Sequence, residues 1–372
     1  MKPDEPQASK PRYIVVGGFL GAGKSTAITR LGRHFQKGGH KIGVVTNDEG
    51  TELVDTAQLR SASFNVEEVT GGAFGTQPDA LIKATQRLTA LRCDLIFAEC
   101  SGTSGNLHAS LLKPIEQKFG TTISIAPLSV LVDPIRAARV LRLQPGGSFS
   151  EKLSYIYRKQ IEEAEILVIN KTDLVAPAVL AKIRKSLSEL APNATICTVS
   201  TRTGAGFDEW LTLLESKDHA PAAESAFDTK VYNEAEALLG WLNCTVSVSS
   251  VRYFEANKLL NALATAVQSL LKRDAIEVAH LKLLMRARND STDTTETAGI
   301  NLVRNDLAPE LSGEIREPVQ RAELILNLRA EAKPDLLHAA VNNAVMEIME
   351  HSPELFARME HCEHFRPTRR AA

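Results

Sequence analysis

Short apolar segments repeat between Arg12 and Leu214, and helical patterns separate them. The segments are YIVV (13–16), IGVVT (42–46), FNVEEV (64–69), DLIFAE (94–99), ISIAPLSVLVD (123–133), ILVIN (166–170) and ATICTVS (194–200). Near-continuous apolar strands that alternate with helices are typical of a parallel sheet with both faces covered. The pattern therefore predicts a doubly wound, mainly parallel α/β domain.

The first of these strands leads into a glycine-rich loop, GGFLGAGKST, and a helical pattern follows it. The loop matches GxxxxGK[ST], whose backbone N–H groups turn inward around phosphates at a helix N-terminus. The lysine of this motif reaches the β- and γ-phosphates, and its hydroxyl joins the Mg²⁺ shell. The predicted phosphate site, with Lys24 also as a catalytic residue, consists of Gly18, Gly21, Ala22, Gly23, Lys24, Ser25 and Thr26.

A second motif, Asn170-Lys171-Thr172-Asp173, directly follows the strand ILVIN. Ligands gather at such strand ends in open α/β sheets. The Asp173 carboxylate can accept hydrogen bonds from N1–H and the amine of guanine, a pattern that adenine lacks. The motif therefore predicts GTP or GDP, bound with Mg²⁺. Ser200 and Thr201 follow the next strand and either back the base or belong to a plain strand–turn–helix.

Oxygen-bearing side chains follow two other strands. Glu99 ends DLIFAE, where ordinary GTPases place an aspartate that holds an Mg²⁺-bound water. Upstream, the stretch VVTNDEGTELVDTAQL presents Asn47, Asp48, Glu49 and Asp55. Oxygen ligands suit Mg²⁺, so we expect Ser25, Asp48 and Glu99 to hold the ion. We also expect Asp48 or Glu99 to orient the attacking water; Glu49 and Asp55 belong equally well to a solvated acidic loop.

The chain has 372 residues, and one core rarely grows beyond about 250–300, so two domains are expected. The stretch SKDHAPAAESAFDT (216–229) reads as a linker. Beyond it, strands and helices alternate unevenly, which predicts a smaller α+β domain. The predicted divisions are a disordered leader (1–11), a GTPase domain (12–215), a linker (216–230), the α+β domain (231–350) and a His/Cys-containing tail (351–372).

The strand AELILNLRAE in the second domain alternates leucines with polar residues. Its polar face carries Asn327 and Arg329, with Lys282 and Arg286 on a neighbouring strand. Such a face suits a client protein or an anionic ligand, although a solvated face is the preferred interpretation. His280 lies in an apolar strand and is interpreted as a core or sheet-face histidine. The stretch DSTDTTETA is predicted to be a polar loop.

Composition excludes several classes of protein. The net charge of −2 does not indicate a nucleic-acid binder. Five cysteines without paired spacing argue against a disulfide framework and for a reducing compartment. The start lacks a signal peptide, and no segment is apolar for long enough to cross a membrane. We therefore expect a cytoplasmic protein.

The motifs together resemble the CobW/HypB/UreG family of P-loop metallochaperone GTPases, of the SIMIBI class. GGFLGAGKST, TNDEG, EVTGG, ECSGTS, LVDP, INKTDL and VSTRTGAGFDEW carry the resemblance, which covers roughly the first two-thirds of the chain. Glu99 before Ser-Gly is a mark of this family. The resemblance implies a GTP-switched accessory protein for a client metalloenzyme or corrinoid protein, and a possible GTP-dependent homodimer.

The chain departs from this family in VEEVTGGAFGTQ, the second glycine-rich stretch. CobW-like proteins carry Cys-x-Cys-Cys there, and HypB and UreG carry cysteine with histidine. Aligned on Glu68 and Gly72, these positions are Ala73, Gly75 and Thr76. Sulfur and imidazole ligands that select transition metals are therefore missing. We expect a nucleotide-responsive or dimer-facing switch, in which Phe74 docks where relatives bind metal.

Other metal ligands are sought elsewhere in the chain. Cys100 is interpreted as a small buried packing residue. The tail carries His351, His361, Cys362, Glu363 and His364, and a solvated, partly disordered tail is preferred over a metal site there.

The predicted function is therefore a GTP-binding and GTP-hydrolysing chaperone or activator of a metal- or cobalamin-dependent enzyme. Its hydrolysis should be slow without a partner, because the sequence identifies no arginine finger. The alternatives are metal (Zn, Co or Ni) delivery through the tail ligands and a non-catalytic GTP-switched binding module.

Overall fold

The computed structural model describes residues 10–48, 54, 59–60, 62–146, 149–220, 227–289 and 294–367. These residues form an eight-stranded sheet followed by a six-stranded sheet. Among the described helices, none is long and apolar enough to span a membrane. The predicted leader falls almost wholly outside the described residues, as does the central part of the predicted linker (221–226).

The first sheet is parallel throughout, with strand order β3-β2-β4-β1-β6-β7-β8 and β5 beside β1. Its strands are β1 (Arg12–Gly18), β2 (Ile42–Asp48), β3 (Asn65–Thr70), β4 (Leu95–Glu99), β5 (Ser124–Ile125), β6 (Ser129–Val132), β7 (Ile166–Ile169) and β8 (Thr195–Thr198). Its helices are α1 (Lys24–Lys37), α2 (Pro78–Ala90), α3 (Lys113–Phe119), α4 (Pro134–Val140), α5 (Glu151–Glu162), α6 (Pro177–Leu190) and α7 (Phe207–Ser216). The predicted doubly wound α/β fold is confirmed.

Successive residues of β1 belong to different cores. Tyr13 and Val15 pack in one hydrophobic cluster, and Ile14 and Val16 pack in another. Because side chains of a strand alternate between its faces, both faces of the sheet are buried. The segment 123–133, expected to be one strand, is divided into β5 and β6. Pro127 lies between them and lacks the N–H that a continuous ladder requires.

The second sheet is antiparallel, with order β12-β11-β10-β13-β9-β14. Its strands are β9 (Gly240–Phe254), β10 (Val278–Asn289), β11 (Thr294–Leu302), β12 (Glu310–Gly313), β13 (Val319–Ala330) and β14 (Leu355–Phe365). The helices are α8 (Thr229–Glu236), α9 (Ala256–Arg273) and α10 (Pro334–His351). Apolar residues of α9 and α10 share one hydrophobic cluster with the sheet. The predicted α+β domain is confirmed.

Two predictions for the second domain are wrong. Part of the stretch expected to be a polar loop, from Thr294 onward, forms β11, because β-branched threonines suit a strand with an exposed face. The stretch set apart as a tail contains β14, which pairs with β9 at the sheet edge. Within this pair Cys244 lies opposite Cys362, and the two are joined in a disulfide. The expectation against disulfides did not foresee this pair, whose cysteines are 118 residues apart.

Arg136 of α4 joins the two domains. Its side chain is buried between Phe19 and Phe149, with its guanidinium carbon 5.6 and 4.6 Å from the two ring centroids. Its Nη2 donates to the backbone carbonyls of Ala279, at 3.1 Å, and Val303 of the second domain. The second sheet is therefore attached to the first domain through a buried, hydrogen-bonded cation.

Replacement of this cation should weaken the attachment. Arg136→Met is expected to lower the free energy of unfolding by about 1–3 kcal/mol, because two buried carbonyls lose their donor. Arg142→Met is the control, since its exposed ion pair with Glu151 contributes about 0–1 kcal/mol. Urea denaturation followed by tryptophan fluorescence measures both. Equal shifts in the two variants would contradict the proposed attachment.

Candidate nucleotide site

The loop between β1 and α1 has a backbone that only glycine tolerates. Gly18 has φ 127°, and a Cβ there would lie 2.4 Å from the carbonyl oxygen of Leu131. Gly23 has φ 94°, and a Cβ there would lie 2.6 Å from Asn170 Nδ2. The Lys24 ammonium is buried inside the loop and donates to the carbonyl of Gly18 at 2.8 Å. The loop thus wraps its backbone around one lysine at the start of α1, the arrangement that binds phosphates in P-loops.

Strand register brings Ser25 and Glu99 together. Val16 of β1 lies opposite Glu99 of β4, so α1 starts directly beside the end of β4. The Ser25 hydroxyl donates to Glu99 Oε1 at 2.7 Å, and both residues are buried. A buried hydroxyl and carboxylate fit Mg²⁺, which prefers oxygen ligands. Asp48 ends β2 nearby, but its side chain, Glu49 and Asp55 lie outside the described residues.

The Asn170–Asp173 motif holds the P-loop. Asn170 Nδ2 donates to the carbonyl of Ala22 at 2.9 Å, and its Oδ1 accepts from Thr201 N at 3.0 Å. Lys171 Nζ donates to the carbonyl of Gly21 at 2.7 Å. These contacts bring the Asn170–Asp173 motif and the P-loop into one site, which the sequence spacing only suggested.

The Asp173 carboxylate lies beside the next strand. Its Oδ1 accepts a 2.6 Å hydrogen bond from the Ser200 hydroxyl. This bond fixes one edge of the carboxylate. The loop that follows β8 is therefore in direct contact with the motif, as one of the two interpretations of Ser200 and Thr201 requires.

Asp133 is a buried acid that the sequence analysis did not select. Its carboxylate caps α4 by accepting from the N–H groups of Ile135 and Arg136, and it lies 3.0 Å from Lys171 Nζ. Burial alone would raise its pKa, but Lys171 and Arg136 together lower that pKa to about 2. Aspartate before Pro134 is an N-cap signature, so the motif LVDP contained the signal.

The second sheet covers the site. A cleft of about 290 Å³ lies between the P-loop, Glu99 and Asp173 on one side and the second sheet on the other. We call it the nucleotide cleft. The second domain contributes Trp241, His280, Lys282, Asn301 and Arg329 to its lining.

The preferred interpretation of a solvated polar face is therefore wrong for Asn327 and Arg329, which are 4% and 1% exposed. Asn327 Oδ1 accepts from the backbone N–H of Val54 at 3.0 Å, so a residue from the segment after β2 touches this face. Arg329 stacks on Trp241, with its guanidinium carbon 4.1 Å from the ring centroid, and donates to the carbonyl of Leu242 at 2.9 Å.

His280 lines the nucleotide cleft instead of serving only the core. Burial lowers its pKa well below the usual value, and the nearby charges of Lys282 and Arg329 lower it further. The imidazole is therefore neutral at pH 7. It can donate one hydrogen bond and accept another without adding charge.

The second glycine-rich loop is fastened by Asn47. Its Nδ2 donates to the carbonyls of Val69 and Gly72, at 3.2 and 2.7 Å, and its Oδ1 accepts from Phe74 N at 3.1 Å. Asn47 thus holds this loop, although the sequence grouped it with the metal-binding oxygens. Phe74 is buried in the hydrophobic cluster. A Cβ on Gly75 would lie 2.7 Å from Ser110 Cβ, so the loop is packed tightly against the neighbouring segment.

The ligands of the predicted tail do not converge among the described residues. Cys362 is in the disulfide, and Glu363 Oε1 accepts from Asn243 Nδ2 at 2.8 Å. His364 Nε2 lies 3.1 Å from Asp335, on the other face from Glu363. His351 hydrogen-bonds the carbonyl of Glu347, and His361 is exposed. Cys100 is buried, as predicted, and burial raises the pKa of its thiol.

Comparison with known proteins decides the family. Residues 12–198 match the family described as CobW/HypB/UreG, nucleotide-binding domain. This chain belongs to that family. The predicted resemblance is thereby confirmed, and the members of the CobW/HypB/UreG family are P-loop GTPases.

Individual relatives are distant. The chain is 26% identical to a zinc chaperone CobW of Pseudomonas aeruginosa over 52% of this chain and 57% of that protein. It is 27% identical to a hydrogenase maturation factor HypB of Azotobacter chroococcum over 52% and 56%. The chain thus spans little more than half the length of these relatives. HypB from Helicobacter pylori, solved in complex with nickel, is 17% identical with TM-score 0.42, over 59% of this chain and 92% of that one.

The role of Asn47 in holding the second glycine-rich loop can be tested. Asn47→Ala is expected to lower the free energy of unfolding by about 1–3 kcal/mol, because buried groups of the glycine-rich loop lose their partners. Gln77→Ala removes an exposed hydrogen bond to the carbonyl of Thr70 and should cost about 1 kcal/mol or less. Hydrogen exchange of the Phe74 amide gives a local readout. Unchanged protection of that amide in Asn47→Ala would refute this role of Asn47.

Proposed function

We propose that this member of the CobW/HypB/UreG family is a GTP-binding and GTP-hydrolysing accessory protein, a chaperone or activator of a metal- or cobalamin-dependent enzyme. The observation that carries the proposal is the nucleotide cleft, whose two walls come from different domains. A γ-phosphate held between two domains tethers them, and its removal releases the tether. A conformational switch of this kind is what an accessory GTPase needs.

In this proposal the residues of the first domain divide the work on the nucleotide. Lys24 and the backbone amides from Gly18 to Thr26 bind the phosphates. Ser25, Glu99 and Asp48 hold Mg²⁺ or its waters, and the bound ion supplies neutralising charge beside the phosphates. Glu99 or Asp48 orients the attacking water. The attacking oxygen forms its bond to the γ-phosphorus as the bond from that phosphorus to GDP breaks.

Asp173 is proposed to select guanine. The Ser200 hydroxyl and the contacts of Asn170 hold the motif in place, so the carboxylate is positioned before the base binds.

Exchange of this carboxylate for an amide tests the assignment. Asp173→Asn should lower GTP affinity by at least roughly tenfold, since the amide replaces one of the two acceptor oxygens that face guanine with an NH2 donor. Its preference for GTP over ATP should fall by a similar factor. Fluorescent GTP and ATP analogues measure both affinities. The control is Asp208→Asn, an exposed acid in α7. A preference for GTP that survives Asp173→Asn would overturn the guanine assignment.

Lys282 of β10 is proposed to bring a positive charge from the second domain to the nucleotide. The sequence identifies no arginine finger, and Lys282 lines the nucleotide cleft, which supports a role for its charge in stabilising the phosphates within the same chain. We therefore expect the rate of GTP hydrolysis to be slow and to depend on the position of the second domain relative to the P-loop.

Removal of this charge should affect turnover. Lys282→Met is expected to lower the GTP hydrolysis rate by roughly tenfold or more, with a smaller change in GDP affinity. Arg286→Met is the matched control, because Arg286 lies four residues along the same strand, pairs with Glu323 and lies away from the cleft. Single-turnover hydrolysis measures the rate. Equal rates in both variants would exclude a role for Lys282.

A further inference from the structure

A cluster of metal-ligand side chains lies away from the nucleotide cleft. In the part of the chain that the structure describes, one group of three or more His, Cys, Asp or Glu residues brings its ligand atoms within 4.8 Å of one another. It consists of His108, Glu165 and His219. We propose that these residues bind a transition metal ion of the Zn²⁺ class, and we call the group the His–Glu–His site.

Three separate parts of the first domain contribute to the His–Glu–His site. His108 opens the π-helical turn His108–Leu112, nine residues after Glu99. Glu165 directly precedes β7, and His219 follows α7 in the segment that leads to the second domain. His219 Nδ1 lies 2.5 Å from Glu165 Oε2, and the two imidazole rings are 5.4 Å apart. The site therefore connects the segment after Glu99 with the segment that leads to the second domain.

Hydrogen bonds to the backbone orient these side chains. His108 Nε2 lies 2.8 Å from the carbonyl of Glu163 and donates a hydrogen bond to it, since a carbonyl can only accept; Nδ1 is then the nitrogen whose lone pair can bind a metal. Metal-binding histidines usually donate their second N–H in this way. The Glu165 oxygens accept from Leu128 N at 2.7 Å and from Ala220 N at 2.8 Å. These bonds anchor His108 and Glu165 to the backbone, and binding a metal requires only a local rearrangement of their ligand atoms.

Burial favours metal binding over hydration at the site. The side chains of His219 and Glu165 are 6% and 16% exposed. Metal binding would take the place of the hydrogen bond between His219 Nδ1 and Glu165 Oε2.

The ligand set selects the class of metal. Two imidazoles and one carboxylate suit Zn²⁺ and also Co²⁺ or Ni²⁺, whereas Mg²⁺ prefers oxygen ligands alone. Tetrahedral ligands at about 2.1 Å from the metal are roughly 3.3 Å apart. The pair formed by His219 and Glu165, now at 2.5 Å, must therefore open by about 0.8 Å, and the widest pair must close by up to about 1.5 Å. Three protein ligands leave a fourth position for water or for a ligand from a client. Such an open site can release its metal as well as bind it.

Cobalt is the probe that tests the site. Co²⁺ is titrated into the full chain after chelator treatment, and its visible absorption reports coordination number; Zn²⁺ is then added to displace it. We expect one equivalent of four-coordinate Co²⁺ and displacement by Zn²⁺. His108→Gln with His219→Gln should weaken binding at least about tenfold, because two ligands are lost. No cobalt signal in the unchanged chain would overturn the proposal.

The matched control is a second histidine pair. His338 and His364 stack with ring centroids 4.8 Å apart, and His364 contacts Asp335. His338→Gln with His364→Gln should leave cobalt binding unchanged. Loss of binding in this variant, with binding retained in the His108 and His219 variant, would place the metal elsewhere and refute the site. Urea denaturation checks that both variants fold. The cobalt titration measures metal binding directly, so its outcome does not depend on GTP binding.

A chemical readout covers the case in which the site variant unfolds. Diethyl pyrocarbonate modifies accessible imidazoles, and mass spectrometry locates the product. In the unchanged chain, Zn²⁺ should protect His108, which is half-buried, and leave the modification of the half-buried His338 unaltered. Equal modification of His108 with and without Zn²⁺ would contradict the proposal.

Discussion

The register between β1 and β4 is the constraint on which the nucleotide cleft depends. It sets Val16 opposite Glu99, so the P-loop leaves one strand where the carboxylate ends its neighbour. The Ser25–Glu99 hydrogen bond then needs no long loop to bring its partners together. A slip of one residue would turn Glu99 toward the opposite face and separate the pair. The hydrophobic burial that fixes this strand register therefore also aligns Ser25 with Glu99 at the edge of the sheet.

The second sheet adds a polar wall at some cost. Burial of an amide and a guanidinium is unfavourable unless their hydrogen bonds are made within the protein. Asn327 meets this condition through Val54 and Asn243, and Arg329 through Leu242 and the face of Trp241. Val54 belongs to the first domain, whereas the other partners lie in β9, so separation of the domains would cost Asn327 its bond to Val54. The position of the second domain relative to the first and the shape of the nucleotide cleft are therefore coupled.

Local patterns predicted much of this molecule. The strand–helix alternation predicted the first domain, and the two GTPase motifs predicted residues that the structure brings to one site. Contacts between residues distant in sequence had no such signal. Asn47 looks like any oxygen-bearing residue at a strand end until the loop it fastens is in place. The disulfide partners, the covering second sheet and the meeting of His108 with His219 all depend on topology, which a single sequence does not encode locally.

The tight packing of the second glycine-rich loop limits which side chains it can accept. Ala73 is buried, and a Cβ on Gly75 would lie 2.7 Å from Ser110 Cβ. A larger side chain at position 75 would therefore need a change at Ser110 as well. The two segments are coupled at this contact, so a single substitution at position 75 is not enough to install a metal ligand there.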